Sequence, residues 1–286
     1  MKEKKGCASS PRTGAILVAY LRSRLNAPIA NTWRGPRQRF ELSIGCVPLC
    51  LQMSDAQLYG AASARYAAFT GSPVQPINIA LDDNAVAREG DEAAFAYEFG
   101  GAALRVFPHG IRFDGVKSEY ALDSLLRILL SWQLLDLNGF LLHAATVIRN
   151  GKAYLFTGRS GTGKTTVASL SPKGSVLTDE ISLLRREDGV WRAYGTPFWG
   201  EFRAAGSNTS APVAGIFRLL QAVENRLTPL RRADMLRALL PNVLFFCAET
   251  EANRRLLDIL TEAATEISGY NLAFRRNSSF WEVLPA

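Results

Sequence analysis

Eight consecutive residues, Gly158-Arg159-Ser160-Gly161-Thr162-Gly163-Lys164-Thr165, satisfy the pattern G-x-x-x-x-G-K-[ST] in full. Glycines at this spacing let a backbone curl around phosphates and turn its N–H groups inward. A lysine at the end of the curl reaches the outer phosphates, and the hydroxyl that follows can ligate Mg²⁺. Thr166 continues the same surface into the next element. The chemistry implied is binding of a nucleoside triphosphate, ATP with Mg²⁺.

Two further groups stand at matching distances. Val176-Leu177-Thr178 is an apolar stretch that ends in Asp179-Glu180, 15 residues after Lys164. A strand ending in two acids suits a site where one carboxylate meets Mg²⁺ and the other meets a nucleophile. His143 lies 15 residues before Gly158. A lone histidine in an apolar strand is commonly a core residue, but a tight turn after this strand would fold it back beside the glycine loop.

The elements that must position these groups are legible around them. Phe140–Ile148 reads as a strand, Asn150-Gly151 as a two-residue hairpin turn, and Lys152–Thr157 as the return strand. The strand that feeds the glycine loop therefore has an antiparallel partner, which implies a mixed sheet and not a parallel one. A short helix starts at Thr165 and stops before Pro172 and Gly174. Ser175–Thr178 is a short strand, and Ile181–Leu184 with Val190–Tyr194 forms a hairpin around Glu187-Asp188-Gly189. Upstream, Ser118 caps an apolar-periodic helix that ends at Asn138-Gly139. Phe40–Leu51 is expected as a strand and Ser54–Phe69 as a helix, and FAYEF, ALRVF and GIRF as short strands within 94–113. Downstream come a strand at Arg218–Glu224, helices at Arg231–Leu240 and Ala248–Ala264, and short strands at Leu272–Phe274 and Phe280–Val283. The expected fold class is α/β, with a mixed sheet carrying the glycine loop and an N-terminal β-rich layer. The expected divisions are a basic, disordered extension at 1–40, an N-terminal α/β layer at 41–117 and a nucleotide-binding domain at 118–286.

The net charge of +7 is unevenly placed: residues 1–40 hold nine Lys and Arg against the single acid Glu3, which leaves the rest one charge below neutral. The body thus lacks the basic character of a nucleic-acid binder. Gly14–Leu21 is a short apolar run followed at once by Arg22 and Arg24, without a small-x-small cleavage site, so no export signal is read. Tyr120–Leu137 contains Asp123, Arg127, Gln133 and Asp136, which excludes it as a membrane span. Cys7, Cys46, Cys50 and Cys247, with only His109 and His143, do not make a structural zinc pattern. A cytoplasmic location is expected. The sequence is compatible with a homo-oligomer and carries no code for one.

The stretch LLHAATVIRNGKAYLFTGRSGTGKTTVASLSPKGSVLTDE resembles the nucleotide-binding core of the phosphoenolpyruvate carboxykinase and HPr kinase superfamily, in which a His-bearing strand precedes the phosphate loop and a strand ending in two acids follows it. A weaker similarity to small HPr-kinase-like proteins runs from Phe40 to the C-terminus, including Thr196–Gly200 and Phe280-Trp281. Chain length favours the small kinase branch. The resemblance implies a phosphoenolpyruvate carboxykinase-like fold and a serine-kinase-like phosphotransferase. Asp179 would be the base toward an acceptor hydroxyl, Glu180 and Thr165 would sit at the metal, and His143 against the phosphate or metal. Asp179, as one of the acid pair, is also a candidate ligand, and Lys164 carries the electrostatic load. Relatives in modified-peptide pathways make a small protein or peptide the expected acceptor. A small-molecule kinase and a non-catalytic ATP-binding regulator or assembly factor remain alternatives. The family's Arg-Gly-Leu-Gly type stretch is replaced here by TPFWGEFR, so HPr itself is not carried over as substrate. Glu201 and Arg203 within it are candidates for a further metal ligand and a charge clamp.

Overall fold

The computed structural model describes residues 38–72, 75–81, 93, 95–99, 101–107, 110–172, 174–200, 206–247 and 249–285. The basic stretch 1–37, Glu201 and Arg203 lie outside them. The chain is mixed α/β and divides into two compact units: described residues up to Gln133 with Phe246–Arg254, and Leu134–Phe245 with Arg255 onward.

The first unit is built on a six-stranded sheet. Strands β1 (Gln38–Ile44) and β2 (Val47–Met53) form a hairpin, then come β3 (Ile77–Leu81), β4 (Phe95–Phe99), β5 (Ala102–Phe107) and β6 (Gly110–Asp114), in the spatial order β1-β2-β3-β6-β5-β4. The pairs β2–β3 and β3–β6 are parallel and the others antiparallel. The single strand expected over Phe40–Leu51 is thus two. Gly45 and Cys46 both adopt positive φ, 56° and 64°, the geometry of a tight primed turn whose twist suits a hairpin. Helix α1 (Ala56–Arg65) starts at Asp55, whose carboxylate accepts from the Gln57 and Leu58 N–H groups. Helix α2 (Glu119–Asp136) presents buried Leu122, Leu125, Leu126, Leu129 and Leu130. A buried ionic knot joins the two helices. The Arg65 guanidinium pairs with both Asp123 oxygens, and Tyr66 OH donates to Asp123 Oδ1 at 2.6 Å.

The second unit holds a nine-stranded sheet. In chain order its elements are β7 (Gly139–Arg149), β8 (Lys152–Thr157), α3 (Lys164–Leu170), β9 (Val176–Thr178), β10 (Ile181–Glu187), β11 (Val190–Tyr194), β12 (Ser210–Gln221), β13 (Arg226–Pro229), α4 (Arg232–Leu239), β14 (Val243–Leu244), α5 (Thr250–Glu266) and β15 (Gly269–Phe274). The main path is β11-β10-β7-β8-β12-β15-β13, and β12 also pairs with β11, so five strands close on themselves. Asn150 (φ 51°) and Gly151 (φ 73°) make the expected turn between β7 and β8. Parallel insertion of β12 beside β8 and of β15 beside β12 makes this sheet mixed. Where the sequence reads a final strand, Ser278–Val283 is a 3₁₀ helix. Asn277 accepts from Ser279 N–H to start it, and Phe280 is fully buried. Its core gathers Val147, Tyr154, Phe156, Val167, Phe217, Leu219, Leu272, Phe274 and Phe280. Phe217 stacks between Tyr154 at 5.8 Å and Tyr270 at 5.3 Å. Among the described residues no helix is long and apolar enough to cross a membrane.

Candidate functional site

Strand β8 is buried along Ala153–Thr157 and delivers the chain into the glycine loop, which passes directly into α3. Val167 on α3 packs into the aromatic core, so a helix of only seven residues is anchored by tertiary contact. The loop closes on itself through Thr162, whose N–H and hydroxyl both donate to Arg159 O. Gln221 at the end of β12 donates to Gly161 O at 2.8 Å. Gly163 has φ +110°, and a Cβ there would meet Phe274 Cζ at 2.6 Å, so the close approach of the ring requires glycine.

Inside this curve lies Lys164, 8% exposed, with Nζ donating to Gly158 O at 2.9 Å and Arg159 O at 3.3 Å. Burial pushes its ammonium below the ordinary lysine value, and the Glu180 carboxylate pulls it partly back. Of the two acids at the corner, it is thus Glu180 whose charge bears on the loop lysine. Thr165 and Thr166 are half-buried in the first turn of α3, while Arg159, Ser160 and Gly161 are exposed.

Strand β7 brings the acids to the loop. Its second half pairs with β8, with Ala144 opposite Thr157, and Thr157 Oγ1 donates to His143 O at 3.1 Å. On the other side, Ala144 N–H donates to Glu180 O at 3.0 Å, and His143 is opposite Ile181. Half-buried His143 thus lies on the strand between the start of the loop and the Asp179-Glu180 corner. Two strand spacings separate loop and corner, roughly 10 Å between backbones, a span that side chains and a phosphate chain can bridge. The corner itself is held by hydroxyls: Thr178 Oγ1 and Thr196 Oγ1 both donate to Ile181 O, at 3.0 and 2.6 Å. Gly200 N–H donates to Asp179 Oδ1 at 3.2 Å. A Cβ on Gly200 would sit 3.1 Å from Glu180 Oε2 and 3.3 Å from Asp179 Oδ2, so the segment lies directly against both carboxylates.

His143, Gly158–Thr166, Asp179 and Glu180 thus fall on β7, on the loop, on the first turn of α3, and at the β9–β10 corner. Sequence reasoning did not assign Gln221 or Phe274, which touch the loop from 60 and 111 residues away in the chain. Nothing local marks either. Gly200 lay in a stretch singled out by resemblance, without a role. Among the described residues no cluster of three or more His, Cys, Asp or Glu side chains forms a ready metal cage. Thr165, Asp179 and Glu180 are hard oxygen donors, a set suited to a Mg²⁺ ion that keeps water and takes further ligands from phosphates.

Fold and site together define an α/β protein whose mixed sheet sets a glycine-rich strand–loop–helix beside a paired-carboxylate corner. The family profile described as SynChlorMet cassette protein ScmC matches residues 122–284, more than half of the chain, and the protein belongs to that family. Among curated proteins there is no match. Among solved structures it is similar to the Hpr(Ser) kinase/phosphatase from Coxiella burnetii, with 12% identity, coverage of 44% of this chain and 89% of the other, and a TM-score of 0.25.

Proposed function

We propose that this protein is an ATP-dependent phosphotransferase, passing the γ-phosphoryl group to a Ser or Thr hydroxyl of a small protein or peptide. One observation carries the reading. β7 places the Gly158 loop and the Asp179-Glu180 corner on its two sides, with Lys164 in the field of Glu180. On this reading the second unit is a phosphate-loop scaffold of the carboxykinase-like kind. The proposed catalytic domain, 118–286, is wider than that unit, since its residues up to Gln133 and Phe246–Arg254 group with the first.

The buried ammonium of Lys164, held only by loop carbonyls in the contacts above, is matched by an anion that can replace them. It neutralises the outer phosphates while loop N–H groups from Gly158 to Thr166 bind the rest. Thr165 and Glu180, with Asp179 adjacent, would hold Mg²⁺, which would supply neutralisation of phosphate charge. Asp179 takes the proton from the acceptor hydroxyl as its oxygen attacks the γ-phosphorus, and ADP leaves. The Gly200 N–H fixes the orientation of the carboxylate that performs this step. His143, on the strand between loop and corner, faces the transferred group as ligand or proton relay.

The test is transfer from γ-labelled ATP with Mg²⁺ to proteins and peptides of the same cassette, using wild type, Lys164→Ala and Asp179→Asn. Asp179→Asn is expected to keep nucleotide affinity and to lose transfer by roughly 10²–10⁴-fold, the usual worth of a positioned base. Lys164→Ala is expected to lose both. Unchanged transfer in Asp179→Asn removes that residue as base. Tight ATP binding without a labelled product removes the kinase reading.

A further inference from the structure

Strands β8, β12 and β15 run parallel, so Thr157, Gln221 and Phe274 finish at one edge of the sheet. β9 finishes there too, because β8 and β9 are both antiparallel to β7. Across this edge the order is β9, β7, β8, β12, β15. The acid corner is therefore on one flank of the glycine loop, and the ends of β12 and β15 are on the other. A triphosphate whose last phosphate points to Asp179 and Glu180 must carry its nucleoside toward β12 and β15.

That second flank is a built surface. Ala222 N–H donates to Phe274 O at 3.2 Å, and Arg275 N–H donates to Asn225 Oδ1 at 2.8 Å. Asn225 Nδ2 donates to Ser279 Oγ at 2.7 Å, and Gln221 ties the same turn to Gly161 of the loop. The turn 222–225 and the segment 275–279 are thus locked together against the loop. The turn carries Val223, 86% exposed, and the segment joined to it carries the exposed residues Arg275 and Arg276. Among the described residues no ion pair engages either arginine. An apolar seat next to planar cations suits the face of a nucleobase and the sugar-phosphate beside it.

We propose that Val223 and the Arg275-Arg276 pair form the nucleoside end of the site, with the base resting on the 222–225 turn and the arginines on its ribose and α-phosphate side. The proposal rests on the reading of Gly158–Thr165 as a phosphate loop. Gln221 and Asn225 are occupied in holding the two segments, so the base is held through its face and the adjoining charge.

Photolabelling of the full chain with 8-azido-ATP, followed by peptide mapping, tests the placement directly. Label is expected on 222–225 or 275–277. In parallel, the double variant Val223→Ser/Arg276→Gln is titrated with ATP and with inorganic tripolyphosphate, which has no nucleoside. ATP is expected to weaken roughly ten-fold, the scale of one stacking or cation–π contact plus lost apolar area, and tripolyphosphate about two-fold. Label on other segments, or equal weakening of both ligands, overturns the proposal while leaving the phosphate loop intact. Wild-type protein that binds neither ligand overturns the phosphate-loop reading and this proposal with it.

Discussion

Replacing Gly163 with alanine tests how the glycine loop is held. The new Cβ would fall 2.6 Å from Phe274 Cζ and 3.1 Å from Cε1. Carbon atoms prefer about 3.5–4.0 Å, so the ring must withdraw by about 1 Å. It has little room: Phe274 is 1% exposed and packs edge-to-face on Phe280 at 6.0 Å. Overpacking of this kind costs about 1–3 kcal/mol, and a left-handed backbone with a Cβ about 1–2 kcal/mol more. The total of about 2–5 kcal/mol is a large part of a stability of about 5–15 kcal/mol. Gly161→Ala is the control, because its φ is +78° but nothing lies within 4 Å of the added Cβ. It is expected to cost only the backbone part, about 1–2 kcal/mol. Urea unfolding of both variants, alone and in a Phe274→Leu background, separates the two contributions. Phe274→Leu should relieve Gly163→Ala by at least about 0.5 kcal/mol and leave Gly161→Ala unchanged. Equal costs for the two alanine variants, or no relief, would refute the claim that Phe274 dictates glycine at 163.

Two further perturbations follow from buried charge. Burial lowers the Lys164 pKa from 10.5, so between that lowered value and 10.5 the unfolded chain binds more protons than the folded one. Stability without nucleotide should rise with pH across this window. Lys164→Met is then at least as stable as wild type at neutral pH, and its advantage shrinks toward pH 10.5. Denaturation at neutral and alkaline pH checks this, and an advantage that grows with pH contradicts it. In the first unit, Asp123→Asn strands the Arg65 charge, 7% exposed, and weakens the Tyr66 hydroxyl's partner. A loss of about 3–5 kcal/mol is expected in urea unfolding, and one below about 1 kcal/mol would show that solvent reaches the pair.

Local chemistry was legible wherever neighbouring residues decide the outcome. Asn150-Gly151 turns because both residues tolerate positive φ, and the leucines of α2 repeat at helical spacing. Gly45-Cys46 turns in the same way but was not seen, since cysteine is not an expected turn former. Phe280–Val283, with two aromatics and a β-branched residue, has the composition of a strand. Yet Phe280 is drawn into the core beside Phe156 and Phe274, and Asn277 caps a helical turn, which tertiary burial decides.

By itself the sequence determined the glycine loop, its strand and helix, the antiparallel partner that makes the sheet mixed, and the acids after the next strand. All lie within about forty consecutive residues, where chain stiffness and turn geometry leave few arrangements. Only the tertiary structure decided what surrounds them. Gln221 reaches Gly161 because β12 enters the sheet parallel to β8, and a parallel pair needs a crossover that no local pattern encodes. Gly200 meets Asp179 across 21 residues, and Phe274 closes under Gly163, because burial of apolar surface selects those contacts from many that the chain allows.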